Sequence, residues 1–198
     1  MPYELIAIGC SWGGLQAVSR LLSGLPDPDE LPVAVAVVQH RMSVDSELAR
    51  LLGRHTRWPV AEAHDKDRIV AGRAFLAPAG YHLLVEPGRF ALSTEAPVHH
   101  SRPSIDVLFE SAADAYAERL IGVVLTGASI DGAEGLRHIF RRGGHAVVQD
   151  PGTAEQATMP AAAVATGVAH AILPLDGIAA HLVAVCEGDG AGVGQSRR

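Results

Sequence analysis

Leu5-Ile6-Ala7-Ile8-Gly9-Cys10-Ser11-Trp12-Gly13-Gly14 decides how the rest of the chain is read. Four apolar residues run into a glycine-rich turn, and residues 15–22 behind the turn have amphipathic spacing, so a buried strand passes here into a helix. The turn fits G-x-S-x-G, the pattern of a nucleophile elbow, in which a serine is held at the carboxyl end of a strand with its oxygen exposed. Ser11 is therefore the candidate nucleophile. The helix that starts at the glycines brings unpaired N–H groups and the positive end of a dipole, both suited to a developing oxyanion. A turn of this composition can equally cradle a phosphate or simply permit close packing, and partners elsewhere in the chain must decide.

Two further apolar runs have the same texture. Residues 32–38 end in Gln39-His40-Arg41, and residues 120–125 end in Thr126-Gly127-Ala128-Ser129-Ile130-Asp131-Gly132. Continuous apolar runs lack the alternation of a half-exposed strand and indicate a parallel sheet covered on both faces. The predicted fold is a doubly wound, Rossmann-like α/β domain with a mostly parallel sheet flanked by helices. Helices are expected over residues 43–55 (capped by Ser43 or Asp45), from 102–104 through Tyr116, and over 133–142, 160–165 and 177–186. Trp58-Pro59-Val60 begins a short strand, and residues 145–149 and 169–173 are further strands. Between residues 71 and 93, three short segments broken by Pro78, Gly80 and Pro87-Gly88 predict a small antiparallel hairpin or meander inserted into the α/β order. With 198 residues and 48% hydrophobic content, one domain over residues 1–186 is expected, followed by a flexible tail over 187–198.

In such sheets ligands bind outside the carboxyl ends of the strands, and three apolar strands end there in Ser11, His40 and Asp131. Nucleophilic catalysis by serine needs a base for its proton and a carboxylate to hold the imidazole, and the three side chains need only meet in space. Each residue also has a plainer reading: His40 as a satisfied polar residue at a strand end, Asp131 as the N-cap of the helix after it. A dinucleotide site is weakened because the glycines at 9, 13 and 14 do not spell G-x-G-x-x-G and the second strand ends in Gln39-His40 where an acid is expected. The histidine and acids at His64-Asp65 and Asp67 lack metal-ligand spacing, so neither metal nor cofactor is expected. Cys10 and Cys186 form no disulfide framework and are expected to be reduced. A net charge of -6 without a basic stretch argues against nucleic acid, and the absence of a signal peptide or a long apolar run points to the cytoplasm without membrane insertion.

The motifs at residues 8–14, 38–40 and 125–135, together with Phe75-Leu76-Ala77-Pro78, residues 100–109 and the segment from Gln149-Asp150-Pro151 to Met159-Pro160, resemble the signature segments of the CheB-type chemotaxis receptor methylesterases. The resemblance covers about residues 5–182. It implies a serine hydrolase that removes methyl groups from glutamate methyl esters on the cytoplasmic helices of chemoreceptors, and in some members deamidates receptor glutamines. It further implies Ser11 as nucleophile, His40 as general base, Asp131 as its orienting carboxylate, and backbone N–H groups at Trp12 and Ala128 as oxyanion donors. The implied partner is the methylated chemoreceptor cytoplasmic domain. Trp12 departs from the small or hydroxylated residue of better-known relatives, and Ala161 stands where an arginine is common. Such enzymes often carry an N-terminal receiver domain. This chain starts at the first catalytic strand, so control by phosphorylation in cis is not expected, and a separate regulatory protein could take that place.

Overall fold

A computed structural model describes residues 3–40 and 47–188. The expected caps Ser43 and Asp45, Arg41, and the tail beyond residue 188 lie outside the described residues. Strand β1 (Leu5–Cys10) leads into helix α1 (Gly14–Gly24), and β2 (Ala34–Gln39) is followed by α2 (Glu47–Gly53). Then come β3 (Val60–Glu62), β4 (Ala74–Leu76), the pair β5 (His82–Glu86) and β6 (Arg89–Ser93), and α3 (Ile105–Tyr116). The second half alternates regularly: β7 (Leu120–Val124), α4 (Ala133–Arg141), β8 (His145–Gln149), α5 (Thr158–Ala165), β9 (Ala171–Leu173) and α6 (Leu175–Glu187).

Seven strands form one sheet in the order β3-β4-β2-β1-β7-β8-β9, and every pairing in it is parallel. The sheet order runs outward in both directions from β1, which pairs with β2 on one side and β7 on the other. That reversal opens a crevice at the carboxyl ends of β1, β2 and β7. One part of the sequence reading changes. Residues 74–76 do not belong to an antiparallel meander; they form β4, inserted in the main sheet between β3 and β2, and only β5 and β6 make the antiparallel hairpin. All three residues of β4 are buried, so its burial pattern is that of the central strands despite its shortness.

Both faces of the sheet are covered, which is why the strands read as unbroken apolar runs. Along β1 the side chains alternate between two cores: Leu5 and Ala7 face one packed by Leu108, Phe109, Leu136 and Phe90, and Ile6 and Ile8 face one packed by Val18, Leu21, Leu22 and Leu182. α3 and α4 therefore lie on one face with the hairpin, and α1 and α6 on the other. The two faces hold the carboxyl edge of the sheet rigid between them, and that edge carries the site. No helix among the described residues is long and apolar enough to cross a membrane.

Candidate active site

Ser11, His40 and Asp131 meet at the carboxyl edge. Ser11 follows β1 directly, and its amide donates to the Thr126 carbonyl at 3.0 Å, so the ends of β1 and β7 are tied together at this serine. The His40 amide donates to the Cys10 carbonyl at 3.0 Å, which draws the end of β2 to the same place. Gln39 reinforces this: its side-chain amide donates to the Ser11 carbonyl at 2.6 Å and its oxygen accepts the Cys10 thiol at 2.9 Å. Gly9 has no room for a Cβ, which would meet the Ile105 side chain.

The His40 ring nitrogen Nε2 lies 2.7 Å from Asp131 Oδ2. Asp131 is fully buried, and its oxygens accept from Ser104 Oγ at 2.9 Å and from the backbone amides of Ile105 at 2.7 Å and Asp106 at 3.0 Å. Those amides open α3, so the helix start meets a carboxylate supplied from another segment. Burial would raise the Asp131 carboxyl, but the His40 ring and the two amides outweigh it and hold it below the usual carboxylate range. An ionised Asp131 fixes the His40 proton on Nε2 and leaves Nδ1 as the basic nitrogen. The N-cap position of α4 is Gly132, and the Asp131 side chain serves α3 instead of its own helix.

Asp106 returns the favour from the first turn of α3. Its Oδ1 accepts the amides of Gly132 at 2.9 Å and Gly135 at 2.7 Å, and its Oδ2 lies 3.2 Å from His99 Nε2. Burial foremost, with the neighbouring Asp131 charge, pushes the Asp106 carboxyl up to about 6. His99, Asp106 and Asp131 bring ligand atoms within 4.8 Å of one another. Both Asp131 oxygens are already taken by four donors, which is the arrangement of a helix-capping pair.

Ser11, Trp12, His40 and Ala128 line one open cleft of about 830 Å³, together with Gly13, Ser101 and Arg102. The amides of Trp12 and Ala128 donate to no group among the described residues, which leaves them available to a developing oxyanion. No hydrogen bond joins Ser11 Oγ to His40 among the described residues; the neighbour of His40 Nδ1 is Ser101 Oγ, at 3.4 Å. Trp12 is 63% exposed, so packing against its own helices does not explain it, and its indole N–H donates to Glu155 Oε1 at 2.9 Å. Gly127 sits where a Cβ would lie 2.9 Å from Ser11 Cβ and 2.8 Å from the Met159 sulfur.

Sequence reasoning passed over Gln39, Ser101, Ser104 and Gln149 as site residues. Gln149 accepts the Thr126 amide at 2.9 Å and so braces the β7 loop as Gln39 braces the elbow. The available signal was a glutamine closing each of two apolar strands. Ser104 and Asp106 gave no signal in spacing, because the contact they make is with a segment 25 or more residues away.

The sequence model of the CheB methylesterase family matches residues 6–182. A Leptospira interrogans protein provisionally named protein-glutamate methylesterase/protein-glutamine glutaminase is 45% identical over 90% of this chain and 93% of its own length. The protein-glutamate methylesterase FrzG of Myxococcus xanthus is 40% identical over 92% of this chain, which spans about half of that relative (54%). The crystal structure of the Thermotoga maritima CheB methylesterase catalytic domain superposes with a TM-score of 0.87 at 28% identity, covering 93% of this chain and 100% of that one. The family match, the sequence identity over nine-tenths of the chain and the shared fold agree: this chain belongs to the CheB methylesterase family.

Proposed function

We propose that this protein hydrolyses methyl esters of glutamate side chains on chemoreceptor cytoplasmic helices, with Ser11 as nucleophile, His40 as base and Asp131 as the carboxylate that orients it. The observation that carries this reading is the 2.7 Å contact between His40 and a buried, ionised Asp131, at the wall of a cleft that also holds Ser11. Family membership supplies the reaction class, and the names of the relatives supply the glutamate ester.

In this reading Ser11 Oγ attacks the ester carbonyl while His40 Nδ1 takes its proton. The carbonyl oxygen gains negative charge and is received by the free amides of Trp12 and Ala128. Collapse of the tetrahedral species breaks the C–O bond, and the protonated His40 gives its proton to the departing methanol. Water then repeats the sequence on the acyl-enzyme, releasing the glutamate carboxylate. Asp131 keeps its negative charge throughout and stabilises the imidazolium. A glutamine substrate would form the same acyl-enzyme with ammonia as the leaving group, which is how deamidation would share the site.

The test is release of methanol from a methylated receptor cytoplasmic fragment. Wild-type protein should release it in proportion to the ester present, and Ser11→Ala should release none above background. Methanol release by Ser11→Ala at the wild-type rate would refute the assignment.

A further inference from the structure

Arg102 stands in the wall of the cleft with Ser11, His40 and Trp12. Its Nη1 donates to two backbone carbonyls, Thr94 at 2.8 Å and Glu95 at 2.9 Å, and this fixes the plane of the guanidinium. Its Nε is buried and has no hydrogen-bond partner among the described residues. Nη2 likewise donates to none of them. Nε–H and Nη2–H are the two parallel donors of one edge of the guanidinium, the edge that matches a carboxylate in a bidentate pair. A buried N–H without an acceptor is costly to keep, and a guanidinium cannot shed its charge.

Among the described residues, the buried acids at this edge of the sheet are already engaged. Asp131 is held by His40, Ser104 and the start of α3, and Asp106 by His99 and two glycine amides. No carboxylate lies within ion-pair distance of Arg102 among the described residues. Among the described residues, then, Arg102 lines the cleft without a carboxylate partner, in a protein whose net charge is -6.

We infer that Arg102 is a specificity-determining residue that binds a carboxylate on the substrate protein, beside the ester being cleaved. The inference rests on the methylesterase reading above and adds to it a preference for esters set among acidic side chains. The ester itself is neutral, so this contact selects its surroundings and leaves the chemistry at Ser11 alone. A protein of net charge -6 gains no long-range steering toward an acidic segment, so attraction to one would come from this oriented fork at close range.

The experiment uses two helical peptides, each carrying one glutamate γ-methyl ester, identical except that the residues one helical turn away on both sides are Glu in one and Gln in the other. kcat/KM is measured for wild type, Arg102→Gln and Arg102→Lys. Wild type should prefer the acidic peptide by about two- to fivefold, the size of a partly exposed charge pair. Arg102→Gln should bring the ratio close to one, and Arg102→Lys should retain part of it. The ratio within each variant cancels any general loss caused by disturbing the 94–95 loop. A wild-type ratio near one, or an unchanged ratio in Arg102→Gln, overturns the carboxylate site and leaves the methylesterase intact. Failure of wild type to cleave either peptide brings down the methylesterase reading and the carboxylate site with it.

Discussion

Histidines gather at both edges of the sheet, and the two gatherings are built in opposite ways. At the carboxyl edge His40 pairs with a buried carboxylate that is itself held by three further donors, and His99 pairs with Asp106, beside an open cleft that His40 lines. At the amino edge His145 begins β8, His170 precedes β9 and His181 lies on α6. Their rings stack on one another, with centroids 4.6 Å apart for His145 and His170 and 5.3 Å for His145 and His181. His145 Nε2 lies 3.0 Å from His181 Nε2, and the Ala146 amide donates to His170 Nδ1, which places the His170 proton on Nε2. No carboxylate pairs with any of the three among the described residues. Burial, with the neighbouring rings adding repulsion, lowers His145 to about 4; burial lowers His170 and His181 too. In the proposed mechanism His40 gains a proton in each cycle, and the carboxylate behind it stabilises that charge. Imidazoles without one are kept neutral and serve packing.

The largest effects should come from breaking the carboxyl edge. Ser11→Ala, His40→Ala and Asp131→Asn should each lower kcat for methyl-ester hydrolysis by about 10³-fold or more, and the double variants should lose little beyond the singles. Near-wild-type turnover by Asp131→Asn would show that the buried pair is only structural. Gly127→Ala comes next, because its Cβ would press on Ser11 Cβ and on Met159. A fall in kcat of about 10- to 100-fold is expected, with a stability loss of roughly 1–3 kcal/mol from overpacking in chemical denaturation.

The amino edge should behave differently. His145, His170 and His181 bind protons less readily folded than unfolded, so the stability they confer is complete above about pH 6.5 and drains away as pH falls below it, for His145 down to about 4. His145→Phe should therefore show a smaller drop in Tm between pH 7 and pH 5 than wild type, with ester hydrolysis at pH 7 within about twofold. An equal drop in both proteins would remove the contrast between the edges. A loss of activity smaller than those at Ser11, His40, Asp131 and Gly127 is expected at Trp12. Its exposed indole beside Ser11 should contact the protein substrate, so Trp12→Ala should lower kcat/KM by about 5- to 20-fold on a methylated receptor fragment and less on p-nitrophenyl acetate. Equal losses on the two substrates would mean that Trp12 supports the elbow.

The central strands were legible because they are buried on both faces, so 5–8, 32–38 and 120–125 stand out as unbroken apolar runs. The convergence of Ser11, His40 and Asp131 was legible for the same reason, since parallel strands put all their carboxyl ends on one edge. Residues 74–76 were harder to place. A three-residue strand carries no period, and the breaks at Pro78 and Gly80 resemble those of a hairpin. The reciprocal capping of α3 by Asp131 and of α4 by Asp106 could not be read at all from spacing, because each cap comes from the other helix's segment. The choice of Nδ1 as the free nitrogen of His40, and the presence of Ser101 beside it, likewise depend on ring orientation, which no sequence pattern encodes.

That second serine makes the decisive measurement simple. Wild-type protein would be treated with a fluorophosphonate at neutral pH, digested, and the modified residue located by peptide mass spectrometry. A single adduct on Ser11, formed much more slowly in His40→Ala and Asp131→Asn, is the predicted result; an adduct on Ser101, or none at all, would contradict the assignment of Ser11, His40 and Asp131 as one catalytic unit.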